Sequence, residues 1–350
     1  MIVNDRIRLA LPLIVKLTLV SAFVGAIYGH FSAVAAGGTA FDGVLRGAGT
    51  GALIAAILTT LESLGWDASA GALARAPFLL HLVLKSLVYL LVFLFAIAAV
   101  QWLTAVPSSG GVVIERSDIL FCFITGFIIN FLMEMNHLLG QNVLLSFVTG
   151  RYYRPRVEAR VFLIIDMKNS TAAAERLGEV GFHRLLNRFA NDLTGPVLLH
   201  KGQVHKYVGD ELIVTWLLAE GLKDARCLRA CFGAKARLAA LGPSYEEEFG
   251  FRVEFRAGLH SGPVVVGEMG SVKKEIALIG DTMNTAARIV DACRDTGEAV
   301  IASATLLQQL SLPPDIAARP LGPVRLRGKQ TSLALFALEA AAGAVRSPAA

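Results

Sequence analysis

The feature that most constrains this chain is a run of uncharged, mostly apolar residues from Ser86 to Val106. A helix needs roughly 20 such residues to cross the hydrocarbon core of a bilayer, and this run is long enough. In lipid, backbone polar groups must be satisfied within the protein, and a helix does so within one segment. The run therefore predicts a transmembrane helix.

Three further stretches in the first part of the chain have the same character. Leu9–Tyr28 carries Lys16 as its charged residue, and it lacks the short apolar core and small-residue cleavage pattern of a signal peptide. The stretches 47–61 and 119–133 are uncharged and can be extended at either end. We therefore predict an α-helical membrane bundle of about four spans.

Positive charge is distributed unevenly around these spans. The loop Ser32–Gly43 contains no lysine or arginine, whereas arginines precede the first span and follow the fourth: Arg6, Arg8, Arg151, Arg154, Arg156 and Arg160. By the positive-inside rule we expect a cytoplasmic N-terminus and a cytoplasmic soluble domain, at the plasma or inner membrane. The net charge of +5 is then explained by topology and by contact with membrane lipid, without a nucleic-acid partner.

The composition changes after residue 148, where charged residues become interspersed with apolar ones as in a soluble domain. We predict a transmembrane domain over 1–148, a basic linker over 149–160, a soluble domain over 161–340 and a disordered tail over 341–350. Strand and helix patterns alternate in the soluble domain, which indicates an α+β or α/β fold with a mixed sheet. The predicted strands are 161–166, 203–208, 211–216, 251–259, 263–268, 274–279, 298–302 and a closing pair within 322–338; the predicted helices are 171–200, 222–241 and 282–294.

Two aspartates fall where apolar strands end. Asp166 follows the run Val161–Ile165, and Asp210 follows Gly209 in a tight turn between two predicted strands. Taken singly, each is also typical of a helix cap or a turn. A β-hairpin at that turn is expected to bring Asp210 beside Asp166, and two carboxylates at one place suit Mg²⁺ or Mn²⁺. The pair predicts a site for a metal and a nucleotide triphosphate.

The four cysteines have no paired metal-binding spacing. They are Cys122, Cys227, Cys231 and Cys293. We expect reduced, structural thiols.

Four polar residues align on one face of the predicted fourth span, at helical spacing: Asn130, Glu134, His137 and Gln141. Polar residues inside a membrane segment usually face the bundle interior or water. The sequence leaves open whether they form interhelical hydrogen bonds or a sensory site. His30 and His81 could join His137 as haem or metal ligands in the second case.

The two aspartate motifs, around Asp166 and Asp210, are followed by a third segment, Ile279–Arg288. Together the three resemble the catalytic domain of class III nucleotide cyclases, the adenylyl and guanylyl cyclases. The resemblance extends over residues 157–339 and implies a ferredoxin-like α+β domain with a mixed β-sheet. It implies that Asp166 and Asp210 hold two Mg²⁺ or Mn²⁺ ions per site, with the backbone carbonyl of Met167 as a further ligand.

The resemblance also implies roles for residues that contact the nucleotide. Asn284 would contact the ribose and Arg288 would bind phosphate in the transition state, in accord with their i, i+4 spacing on one helix face. The loop Lys168, Asn169, Ser170 and Thr171 would offer backbone N–H groups to the triphosphate, although Thr171 also fits a helix N-cap. The segment Val324–Lys329 resembles the family's late basic strand, from which Lys329 or Arg327 would reach the terminal phosphates.

The residues that read the base depart from the family's pattern. Lys206 occupies the place of the lysine of adenylyl cyclases, but Ala277 occupies the place of its partner, an Asp or Thr. Guanylyl cyclases carry Glu and Cys at these two places. Lys206 therefore favours ATP, while Ala277 leaves one contact with the base unassigned.

The resembled family builds each site from two subunits, which implies a head-to-tail homodimer. We therefore predict a membrane-bound adenylate cyclase that converts ATP to cyclic AMP and pyrophosphate and is regulated by its membrane domain. The alternatives are a guanylate cyclase of the same class and a catalytically silent nucleotide-binding module. A diguanylate cyclase is disfavoured because the turn Val208–Glu211 lacks the doubled glycine expected there.

Overall fold

The computed structural model describes residues 2–35, 37–63, 77–104, 114, 116–140, 143–327 and 332–341. The chain forms two compact units, residues 1–138 and 139–350. The predicted tail from residue 342 onward lies outside the described residues.

The first unit is helical. It contains α1 (Ile2–Ala35), α2 (Ala40–Ser63), α3 (Phe78–Thr104) and α4 (Arg116–Leu139). Each contains a segment long and apolar enough to cross a membrane, namely Ile14–Ala35, Ala40–Glu62, Phe78–Thr104 and Asp118–Asn136. The predicted number of spans is confirmed by length and composition, but α3 begins eight residues before the predicted run and so includes His81 and Lys85.

Helices α1 and α2 pack with their backbones almost in contact. A Cβ atom placed on Gly25 would lie 2.2 Å from the carbonyl oxygen of Gly47, and one placed on Gly29 would lie 2.0 Å from that of Gly43. Small residues permit such close approach in membrane helix pairs. Glycine is therefore required at these crossings.

Two members of the predicted polar face of α4 bind the neighbouring helix α3. The buried Asn130 amide donates to the Leu82 carbonyl at 3.0 Å and to Ser86 Oγ at 2.9 Å. Glu134 pairs with Lys85 at 3.0 Å and approaches His81 at 3.5 Å. These contacts support interhelical bonding; the side chain of His137, and Gln141, lie outside the described residues.

The second unit begins with a short helix, α5 (Val143–Val148), and is built around one eight-stranded sheet. The strands are β1 (Arg156–Met167), β2 (Gln203–Val208), β3 (Glu211–Leu217), β4 (Phe255–Met269), β5 (Glu275–Ile279), β6 (Val300–Ser303), β7 (Ile316–Val324) and β8 (Leu333–Ala340). Their order in the sheet is β2-β3-β1-β4-β6-β8-β7, with β5 paired to β4. The β4–β6 pair is parallel and the others are antiparallel, so the predicted mixed sheet is confirmed. The longer helices are α6 (Ser170–Leu199), α8 (Arg226–Ala240), α9 (Gly242–Phe249) and α10 (Asp281–Thr296); the short α7 (Leu218–Leu222) lies between α6 and α8, and the short α11 (Ala304–Leu307) follows α10.

Three predicted boundaries were wrong. Strand β1 begins at Arg156, within the predicted linker, and Arg160 is buried there against Glu158 at 2.7 Å rather than available to lipid. The predicted strands 251–259 and 263–268 are one strand, β4, because it pairs with β1 along its length, including Gly262. Strand β7 ends at Val324, so Arg327 lies in a turn rather than on a strand.

Strand β1 is buried on both faces, which explains its continuous apolar sequence. Val161, Leu163 and Ile165 belong to the core shared with α6 and α8. Phe162 and Ile164 belong to a second core, on the side of α10. Because side chains alternate along a strand, Asp166 is placed on the α10 side of the sheet.

The cysteines of this unit are buried and free, as expected for structural thiols. Burial raises the pKa of the Cys227 and Cys293 thiols to about 12. Both are therefore protonated and unreactive at neutral pH.

Candidate active site

Asp166 and Asp210 come together at the end of the sheet. A two-residue turn joins β2 to β3 with Val208 opposite Glu211, and Gly209 takes the first turn position with φ of 61°. A positive φ at that position favours glycine, so the Gly-Asp sequence itself builds the hairpin. The Met167 N–H donates to the main-chain carbonyl of Asp210 at 3.4 Å, which ties the turn to the end of β1.

The electrostatics of this pair show an excess of negative charge. Burial raises the pKa of Asp166 above its ordinary value, and the nearby Asp210 raises it further, while Arg294 opposes both effects. The pKa of Glu211 is raised by burial and then by the charges of Asp166 and Asp210. Carboxylates that disfavour one another's ionised form in this way are a favourable place for a cation.

Two arginines that the sequence analysis missed neutralise part of this charge. Arg294 Nη2 donates to Asp166 Oδ2 at 2.9 Å, and Arg256 Nη1 lies 3.7 Å from the same oxygen. The available signal was the position of Arg294 on the same helix as Arg288, six residues later. That spacing turns Arg294 roughly 120° away from Arg288 around the helix axis, toward the aspartates.

The residues present fit a divalent cation that a substrate helps to bind. Within the described residues, no three His, Cys, Asp or Glu side chains form a group that could hold a metal ion by themselves. Mg²⁺ is usually held by one or two carboxylates, with water and substrate phosphates completing its shell. Asp166 and Asp210 supply that number, and the loop after Met167 lies beside them.

The loop after β1 has less to offer an anion than predicted. The Lys168 N–H already donates to the Glu254 carbonyl at 2.9 Å, and its Nζ pairs with the Glu254 carboxylate at 2.8 Å, which lowers the pKa of that carboxyl. Asn169, not Thr171, is the N-cap of α6, and it takes a left-handed conformation with φ of 57°. Ser170 and Thr171 lie in the first helical turn, where N–H groups lack intrahelical acceptors.

Asn284 and Arg288 lie on α10, which begins at Asp281 after the N-cap Gly280. Asn284 is exposed and Arg288 is half-buried. In the part of the chain that the structure describes, no hydrogen bond or ion pair joins either side chain to Asp166 or Asp210. The chain thus directs Arg294 to Asp166 and leaves Arg288 on a different face of the helix.

Lys206 meets a carboxylate that was not predicted. Its Nζ lies 3.6 Å from Glu275 Oε2, and Ala277, the family position for its partner, is buried on the same strand. Lys329 lies outside the described residues, and Arg327 is exposed in the turn that follows β7.

Replacing Arg294 by methionine is expected to increase the affinity for Mn²⁺ about tenfold, equivalent to ~1.4 kcal/mol, within the range of a charge-assisted hydrogen bond. The guanidinium occupies an oxygen of Asp166 that a cation would use, so its removal frees that ligand. Free Mn²⁺ measured by electron paramagnetic resonance gives the affinity without any turnover. Arg252→Met, at an exposed arginine paired with Glu246, is the matched control. Unchanged or weaker Mn²⁺ binding in Arg294→Met would show that this arginine does not compete with a metal.

The sequence of this chain is similar to proteins of known function. Residues 153–340 match the family model described as the adenylate and guanylate cyclase catalytic domain. The chain is 36% identical over 231 residues to adenylate cyclase 2 of Rhizobium meliloti (strain 1021), covering 63% of this chain and 64% of that protein. It is 24% identical over 177 residues to adenylate cyclase 1 of the same organism, covering 50% of this chain and 26% of that protein. The chain thus spans less than two thirds of the length of these curated relatives.

A solved structure shares the fold. A bacterial light-regulated adenylyl cyclase is 18% identical, with a TM-score of 0.54, over 64% of this chain and 65% of its own. At that identity the likeness concerns the path of the backbone alone.

Proposed function

This chain belongs to the adenylate and guanylate cyclase catalytic-domain family, and we propose that it is a membrane-bound adenylate cyclase that converts ATP to 3′,5′-cyclic AMP and pyrophosphate. The observation that carries the proposal is the pairing of Asp166 with Asp210 at the end of the sheet, inside the matched region. The name of its 36%-identical relative favours the adenylate activity.

In the proposed reaction the ribose 3′-oxygen forms a bond to the α-phosphorus, the bond from that phosphorus to the pyrophosphate oxygen breaks, and the hydroxyl proton is released. Asp166 and Asp210 would hold two Mg²⁺ or Mn²⁺ ions with the Met167 carbonyl. When bound, such ions lower the pKa of an attacking hydroxyl and neutralise phosphate charge.

The chain's own side chains then position the substrate. Arg288 offers the planar fork of donors that suits a phosphate, better than the point charge of a lysine. Asn284, one turn earlier on α10, orients the ribose by hydrogen bonding. Ser170 and Thr171 offer the N–H groups of the first turn of α6 to the triphosphate. Lys329, from the late basic segment, offers its ammonium group.

The site is proposed to form between two copies of the chain in a head-to-tail homodimer. The different orientations of Arg294 and Arg288 on α10 support this, because Arg288 is not directed to the aspartates of its own chain. Each chain would contribute the aspartates to one site and the Asn284–Arg288 pair to the other. A monomer is then inactive.

The membrane unit is proposed to regulate this activity from the plasma or inner membrane. The four apolar helices support membrane insertion. The arginines around the spans support cytoplasmic placement of the N-terminus and of the catalytic domain, where ATP is available.

Purified full-length protein in detergent is expected to convert ATP to cyclic AMP and pyrophosphate in Mg²⁺ or Mn²⁺, and to have a higher kcat/KM for ATP than for GTP. Product identity by chromatography and mass spectrometry is the measurement, and chelation of the metal by EDTA should abolish turnover. A larger kcat/KM for GTP would make the protein a guanylate cyclase. Nucleotide binding without a cyclic product would make it a silent nucleotide-binding module.

A further inference from the structure

We infer that Glu275 is the side chain that accepts the amino hydrogen of adenine, in place of the family residue that Ala277 lacks. The inference rests on the proposed function, because it concerns the base of the same substrate. It assigns the base contact that the sequence left open opposite Lys206.

The first support is the position of Glu275 on strand β5. Glu275 pairs with Met269 and Ala277 pairs with Gly267 in the β4–β5 ladder, so the two residues are two apart on one strand. Side chains two apart on a strand point to the same face. Glu275 therefore presents a carboxylate on the face where the family carries its base-reading residue, and its longer side chain extends its reach.

The second support is the partner of this carboxylate. Glu275 Oε2 lies 3.6 Å from Nζ of Lys206, the residue at the place of the base-reading lysine. This distance is that of an ion pair rather than a close hydrogen bond. A base edge that inserts between the two groups can take one hydrogen bond from the lysine and give one to the glutamate.

The chemistry of this pair selects adenine when Lys206 faces the ring nitrogen N1. Adenine has an acceptor at N1 and a donor amino group at C6, which match an ammonium and a carboxylate respectively. Guanine has the opposite pattern, with a protonated N1 and an oxygen at C6. In that orientation guanine would set donor against donor and oxygen against carboxylate, and each mismatch leaves a charged group unpaired.

Both side chains are accessible, which makes the inference testable without unfolding the domain. The side chains of Lys206 and Glu275 are 54% and 37% exposed. Solvent-exposed ion pairs of this kind contribute little to stability. A Glu275→Ala variant is therefore expected to keep its thermal stability and change its substrate selection.

The test pairs a change in the enzyme with a change in the substrate. ATP and purine riboside triphosphate, which lacks the 6-amino group, are compared as substrates of the full-length wild type and of Glu275→Ala. We expect the wild type to favour ATP in kcat/KM by about tenfold to a hundredfold, the effect of one missing hydrogen bond to a charged acceptor. In Glu275→Ala the two substrates should be used equally, because the acceptor is gone.

Two further variants serve as a control and as a test of rescue. Glu268→Ala removes another carboxylate of the same hairpin, which pairs with Lys274, and should retain the wild-type preference for ATP. The double variant Glu275→Ala/Ala277→Asp puts a carboxylate at the family's own position and should restore the preference.

The outcomes separate this inference from the proposed function. If the wild type forms cyclic AMP and Glu275→Ala keeps the full preference for ATP over the analogue, Glu275 does not contact the amino group and the inference is overturned. It is also overturned if Glu275→Ala loses GTP turnover while ATP turnover is unchanged, since the carboxylate would then read guanine. A wild type that forms no cyclic AMP at all overturns the proposed function instead.

Discussion

Replacing Asp166 or Asp210 by alanine is expected to lower kcat about a thousandfold or more, because each change removes one of the two carboxylates proposed to hold the catalytic cations, a loss of several kcal/mol of charge stabilisation. The measurement is cyclic AMP formation by the full-length variants at saturating ATP and Mn²⁺. Asp291→Ala, at a neighbouring carboxylate that is 62% exposed, is the matched control and should remain within a few-fold of wild type.

Replacing Asp166 by alanine is not expected to unfold the protein, and the pKa of Asp166 gives the reason. Burial raises that pKa above its ordinary value of 3.8, so the folded chain binds the proton more tightly than the unfolded chain. Stability therefore falls as the pH rises from 3.8 through the raised pKa, and at a pH above that value the full penalty is present. Removing the carboxyl removes the penalty.

Thermal denaturation in the absence of metal checks this point. The Tm of Asp166→Ala at neutral pH should be equal to or above that of the wild type. Turnover within a few-fold of wild type in either aspartate variant contradicts the metal assignment. A large fall in Tm means that the lost turnover reports unfolding, and Asp166→Asn, which keeps the shape of the side chain, then decides the question.

Mixing two inactive variants, Asp210→Ala and Arg288→Ala, is expected to restore activity. Each site of the proposed dimer takes its aspartates from one chain and its Arg288 from the other, so a mixed dimer has one site with every group intact and one with both defects. Mixed dimers isolated through two different affinity tags should have about half of the wild-type turnover per dimer, since one of the two sites is complete. Each variant alone should remain inactive.

The control for this experiment uses two defects in the same half of the site. A mixed dimer of Asp166→Ala and Asp210→Ala has one damaged aspartate pair in each site, so no site is complete and no activity should return. Recovery in this control, or none in the Asp210→Ala and Arg288→Ala mixture after mixed dimers have been isolated, would exclude the shared site.

The local signals in the sequence were sufficient for much of the candidate site. The apolar run Val161–Ile165 followed by Asp166 predicted a buried strand with a carboxylate at its end, and the Gly209–Asp210 turn predicted the hairpin beside it. Both depend on neighbours in the chain, since burial on two faces needs a continuous apolar run and the tight turn needs a residue that adopts positive φ. The spacing of Asn284 and Arg288 likewise depended on one helix.

Strand boundaries predicted from adjacent residues were wrong where pairing with a distant strand decided the structure. The predicted strands 251–259 and 263–268 were separated at residues 260–262, yet these residues lie within β4. Hydrogen bonding to β1 on both sides of these residues outweighs the low strand propensity of Gly262. In the same way, the arginine at the end of the predicted linker, Arg160, became a buried member of β1.

By itself the sequence determined the helices able to span a membrane, the sheet domain after them and the positions of the two aspartates, because each depends on the hydrophobicity and backbone preferences of adjacent residues. Only the tertiary structure decided which charges meet. Arg294 reaches Asp166 across 128 residues of chain, and Lys206 meets Glu275 rather than a residue at position 277. Such pairs depend on strand register and on the rotation of a helix against the sheet, and long-range packing sets both.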